Sequence, residues 1–64
     1  MNFFKGKFFR IDNLHHPANG MIGRAVTEPS TDRPAVTIRL PSGKHVEQFP
    51  SGLMLVPDPD GALV

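Results

Sequence analysis

The chain is predicted to be all-β, a small barrel of five short strands, on three observations. Short runs of alternating or β-branched residues recur along it, each stopped within a few residues by Gly, Pro, Asn, Asp or Ser. No run carries a convincing 3.6-residue apolar period, so no helix is expected. The 64 residues show no shift of composition, which gives one domain near the lower limit of independent folding. In so small a sheet, closure is the simplest way to remove two exposed edges.

The first strand lies within residues 1–11. Phe3-Phe4 and Phe8-Phe9 are adjacent pairs, so alternation sends one ring of each pair to each face. With Phe9 and Ile11 inward, Phe8 and Arg10 face outward. Gly6 and the aromatic content favour strand over helix here. Residues 12–20 are dense in turn formers, and Pro17 both lacks a donor and pushes His16 away from helical angles. A long loop results, with Asn19-Gly20 as its tight bend.

A second strand is expected over 22–28, with Ile22 and Val26 inward and Ala25 on the opposite face. Pro29 and Pro34 bracket an exposed connection. Residues 35–40 form the clearest strand: Val36, Ile38 and Leu40 share one face, Thr37 and Arg39 the other. Pro41-Ser42-Gly43 is a tight turn in which Gly43 supplies positive φ. The fourth strand spans 44–49, and the odd spacing of Val46 and Phe49 predicts a bulge or bend near Gln48. Phe49-Pro50-Ser51-Gly52 reads as one 3₁₀ turn before a fifth strand over 53–56.

Pro57 and Pro59 cannot continue that strand. The barrel is therefore assigned to 1–56, with its core at 5–56, and 57–64 to a flexible tail. The predicted core is Phe9, Ile11, Ile22, Val26, Val36, Ile38, Leu40, Val46, Phe49, Leu53 and Leu55.

Composition narrows the function classes. Seven Lys and Arg against six Asp and Glu leave a net charge of +1, too little to attract a polyanion by overall charge. The balance is uneven, because Lys5, Lys7, Arg10 and Arg24 meet only Asp12 in the first 24 residues. There is no cysteine, hence no disulfide and no thiolate metal site. No apolar run approaches the roughly 20 residues of a membrane helix, and the start lacks the organisation of a signal peptide. A cytoplasmic location without membrane contact is the expectation.

Strand, long loop, three strands joined by tight turns, a 3₁₀ turn and a short last strand resemble the layout of SH3-like barrels. Within that class, Gly6-x-x-Phe9-x-Ile11 followed by Gly20-x-x-Gly23-x-x-Val26 resembles the KOW motif of ribosomal proteins and transcription elongation factors. The resemblance covers about a third of the chain and implies nucleic-acid binding. The loop before Gly20 is longer and richer in His than that motif has, and the motif's basic loop is not evident. Phe49-Pro50-Ser51-Gly52 also resembles the segment before the last strand of eukaryotic SH3 domains. Those domains grip proline-rich peptides with Tyr and Trp, and this chain has neither. Val46-Glu47-Gln48-Phe49-Pro50 is similar in passing to the active-site strand of the small plasmid-borne dihydrofolate reductases. There Gln48 and Phe49 stand nearest the family's Gln and aromatic, but the Tyr is absent and the spacing is shifted by one.

No Ser lies in a nucleophile motif and no carboxylates are paired for acid–base work, so no enzyme and no cofactor are expected. His15 and His16 adjoin each other and would point apart in an extended segment. A solvated polar loop is therefore preferred to a metal site with Asp12 or His45. Gly20-x-x-Gly23 leads into a strand, so it is a turn device and no phosphate cradle. Two binding readings remain. The first is a non-catalytic protein-interaction module, using Phe3, Phe4, Phe8 and Arg10 with His15 and His16 of the loop. The alternative is RNA or single-stranded DNA binding through Lys5, Lys7, Arg10 and Arg24, with Phe8 as an aromatic platform. For the four cations the competing reading is an ordinary solvated face. A protein partner is favoured, and the chain itself is expected to be a monomer or weak homodimer.

Overall fold

A computed structural model describes residues 3–57. In chain order it contains β1 (Phe8–Ile11), β2 (Ile22–Ala25), β3 (Val36–Arg39), β4 (His45–Gln48), a 3₁₀ turn over Pro50–Gly52, and β5 (Leu53–Val56). All pairings are antiparallel and the strand order is β4-β3-β2-β1-β5. Among the described residues the ladder runs from β4 to β5 with no pairing between those two, so the architecture is one five-stranded sheet. The tail expected over 57–64 lies outside the described residues, apart from Pro57. Among the described residues no helix is long and apolar enough to cross a membrane.

Turn chemistry sets the strand ends. Gly20 and Gly43 have φ of +88° and +92°, a left-handed conformation that glycine adopts without a Cβ penalty. Gly6, at +89°, sits in a turn closed by Lys7 N–H donating to the Phe4 carbonyl at 2.9 Å. That turn keeps Phe3 and Phe4 out of β1. It is held by Glu28, whose carboxylate accepts the backbone N–H groups of Phe3, Phe4 and Lys5 at 3.0, 2.8 and 2.9 Å. The long loop is likewise bonded to itself. Asn13 N–H donates to Asn19 Oδ1 at 2.9 Å, His15 N–H donates to Asn13 Oδ1 at 3.0 Å, and Ala18 drops into the core.

The core is Phe9, Ile11, Ala18, Ala25, Val36, Ile38 and Leu40, with Phe4, Val46 and Leu53 packed on its margin. Ile11, Val36 and Ile38 are 0% exposed, each worth about 1.5–3 kcal/mol relative to an exposed position. On β1 and β3 the expected faces hold, with Phe9, Ile11, Val36 and Ile38 inward.

On β2 the expected phase is inverted, with Gly23 and Ala25 inward and Ile22 and Val26 only half-buried. The cause is the close approach of β2 to β3. A Cβ on Gly23 would lie 2.5 Å from Ile38 Cγ2 and 2.6 Å from the Arg39 carbonyl oxygen, so only the smallest side chains fit that slot.

β4 holds a second correction. There is no bulge, because Val36 pairs with Gln48 in an unbroken register; Gln48 is buried, and Phe49 is 57% exposed. Gln48 fits because both ends of its amide are bonded. Asn13 Nδ2 donates to Oε1 at 3.1 Å, and Nε2 donates to the Phe49 carbonyl at 3.2 Å. Gly52 leaves the room, since a Cβ there would overlap Gln48 Nε2. Leu55, expected in the core, is 61% exposed although it pairs with Phe9. It sits on an edge strand flanked only by β1.

Candidate functional site

Residues paired directly across antiparallel strands project from the same face. The registers Val56↔Phe8, Phe8↔Arg24, Arg24↔Arg39 and Arg39↔His45 therefore line up one row across all five strands on the outward face. Its β5–β1 end is apolar and its β2–β4 end carries Arg24, Arg39 and His45. No cross-strand partner of either arginine is acidic. Like charges directly opposite each other are unfavourable in a sheet, so the fold tolerates a cost at Arg24↔Arg39.

The Arg24 guanidinium lies 6.0 Å from the centroid of the Phe8 ring, at the limit of a cation–π contact. Its Nε donates to the Gly6 carbonyl at 3.3 Å. A groove of about 560 Å³ runs along this face between Phe8, Ile22, Arg24, Arg39 and Pro41. In the neighbouring row, Arg10 pairs with Met54 and Ile22, and its Nη2 stands 3.0 Å from Met54 Sδ.

The six residues expected to form a protein-binding patch are dispersed by role. Phe8 and Arg10 share the outward face of β1. Phe4 instead stacks on Phe9, with centroids 5.2 Å apart and planes 23° from parallel, and packs against the core. Phe3 is exposed beside Glu28. His15 is exposed in the loop. His16 has both ring nitrogens engaged: Nδ1 accepts the Ala18 N–H at 2.9 Å, so Nε2 carries the proton and donates to the Glu47 carbonyl at 2.8 Å. It pins the long loop to β4.

Of the four expected cations, Arg24 belongs to the five-strand row and Arg10 to the adjacent one, while Lys5 and Lys7 are exposed ahead of β1. Arg39 and His45 complete the row and were not among the residues expected to bind a partner or nucleic acid. The outward parity of Arg39 is readable on its strand; its alignment with Arg24 is not. Among the described residues no three of His, Cys, Asp and Glu gather as metal ligands.

A second surface lies at the end of β4. Phe49 stands between two concavities of about 350 and 320 Å³ that share Ala35, Glu47 and Phe49. Glu28, Arg33 and Pro34 line the first, Asn13 and His16 the second. At Glu28, partial desolvation pushes the carboxyl pKa up. The N–H groups of Lys5, Phe4 and Phe3 pull it down further, leaving it below its ordinary value.

Comparison with family models, curated proteins and solved structures gives no match to this chain.

Proposed function

We propose that the chain is a non-catalytic binding domain with an SH3-like strand layout, and that its outward sheet face holds single-stranded nucleic acid. The strand order β4-β3-β2-β1-β5 and the 3₁₀ turn before β5 support that layout.

One observation carries the functional reading: Arg24 and Arg39 face each other across β2 and β3, with His45 beyond them and Phe8 beside them. Neighbouring strands are about 4.8 Å apart, so the ring and both guanidinium groups belong to one short row. A ring for an unstacked base beside arginines for its phosphates is the combination by which single strands are held. A bound phosphate also relieves the repulsion between the two arginines. A duplex presents no base face to Phe8, which favours single strands. With a net charge of +1 the attraction is local, and two or three phosphate contacts give a log–log salt slope of about −1.4 to −2.

Fluorescence anisotropy with labelled octanucleotides of RNA and DNA, at about 50 and 200 mM salt, tests the proposal. Binding is expected to weaken with salt and to fall about fivefold or more in Arg24→Ala and in Arg39→Ala, consistent with charge-assisted contacts of about 1 kcal/mol each. Lys5→Ala should change little. No binding at the lower salt, or an unaltered affinity in Arg39→Ala, would overturn it.

A further inference from the structure

The end of β4 breaks the rule that apolar side chains are buried and polar ones exposed. Gln48 points into the core and Phe49 points out, 57% exposed. Local conflicts of this kind gather at functional surfaces. Here the chain spends Asn13 and Gly52 on housing Gln48, and the result is a phenylalanine ring raised between two concavities.

The chemistry beside the ring defines what fits on it. Glu47 precedes Phe49, lines both concavities and is exposed. Its backbone carbonyl is engaged by His16, which fixes the position of the residue without using its carboxylate. Glu28 also lines the first concavity, but its two oxygens are already taken by the N–H groups of Phe3, Phe4 and Lys5. Among the described residues lining that concavity, Arg33 is the one cation. An aromatic ring beside the exposed carboxylate of Glu47 suits the stem and charge of a lysine or arginine side chain.

We infer that Phe49 and Glu47 form a docking site for a basic peptide segment of a partner protein, with a cationic side chain laid on the Phe49 ring and its charge turned to Glu47. The choice of a basic peptide rests on this charge complementarity. The site is separate from the row of Arg24, Arg39 and His45, and its case does not depend on nucleic-acid binding. If both surfaces work, the domain joins a nucleic acid to a basic protein segment.

The test uses the full chain and two fluorescein-labelled nonapeptides, one Lys/Arg-rich and one with Glu at the same positions. The basic peptide is expected to shift the amide resonances of Ala35, Glu47, Gln48 and Phe49, and the acidic one is not. Phe49→Ala and Glu47→Gln should each weaken the basic peptide about fivefold or more. Both residues are exposed, so both variants should keep the wild-type far-ultraviolet spectrum. Arg39→Ala should leave peptide binding unchanged while weakening nucleic acid, which separates this site from the other. Equal binding of the two peptides, shifts that map away from Phe49, or full affinity in Phe49→Ala would overturn the inference.

Discussion

Replacing Gly52 by Ala probes the arrangement that places Gln48 inside and Phe49 outside. The new methyl would overlap Gln48 Nε2 and lie 2.7 Å from its Cδ, so the buried amide must leave. It then loses its bonds to Asn13 and to the Phe49 carbonyl. At about 0.5–1.5 kcal/mol for each hydrogen bond, the loss is about 1–3 kcal/mol. Gly52 is not among the positive-φ glycines, so the substitution also stiffens the unfolded chain, which returns about 0.4–1 kcal/mol. The net expectation is about 1–2 kcal/mol of destabilisation, or roughly 4–16 °C in Tm for a domain of this size. In a Gln48→Ala background the same methyl meets vacated space and should be neutral or mildly stabilising. Chemical denaturation of wild type, both single variants and the double variant measures the coupling. Far-ultraviolet circular dichroism serves as the probe, because the chain has no Trp or Tyr. A coupling of about 1–3 kcal/mol is expected; additivity within about 0.5 kcal/mol would refute the packing argument.

Gly23→Ala should destabilise by about 1–3 kcal/mol, since its methyl meets the Arg39 backbone carbonyl, which cannot rotate away as a side chain can. A thermal melt indistinguishable from wild type would show that β2 and β3 can separate freely. The Glu28 carboxyl has a folded pKa below its ordinary 4.5, so the folded state takes up a proton less readily than the unfolded state. Its contribution is full above the ordinary value and is lost as pH falls through the lower folded value. The acid limb of the stability–pH curve should therefore flatten in Glu28→Gln, and an unchanged limb would count against the bonds to Phe3, Phe4 and Lys5.

Strand positions, turns and the 3₁₀ segment were legible because each is written locally. Alternation marks Val36, Ile38, Phe9 and Ile11 as inward, and Gly20 and Gly43 mark where φ turns positive. Phase failed on β2 and at the end of β4, where hydrophobicity is a poor guide to which side chain fits. Gly23 and Ala25 win the inner face by size, and Gln48 wins it by having partners from the loop and a gap at Gly52. The odd spacing of Val46 and Phe49 marked a conflict near Gln48 but not its outcome, and spacing gave no sign on β2, because the deciding neighbours are 35 residues away at Asn13 and across a strand at Ile38. The candidate sites divide in the same way. Arg24 and Phe8 could be named from the chain; Arg39 and His45 joined them only through strand register.

The all-β character, the number and approximate places of the strands and the turns between them follow from the sequence alone, while β1 and β2 are shorter than it suggests. Those properties depend on a residue and its near neighbours. Tertiary structure decided which side chains share a face across different strands, which rings are buried and which are offered to a partner. These depend on register and on the space left by distant residues. Phe49 shows the difference: an apolar side chain next to a strand reads as core, and only the bonded amide of Gln48 and the missing Cβ of Gly52 turn it outward.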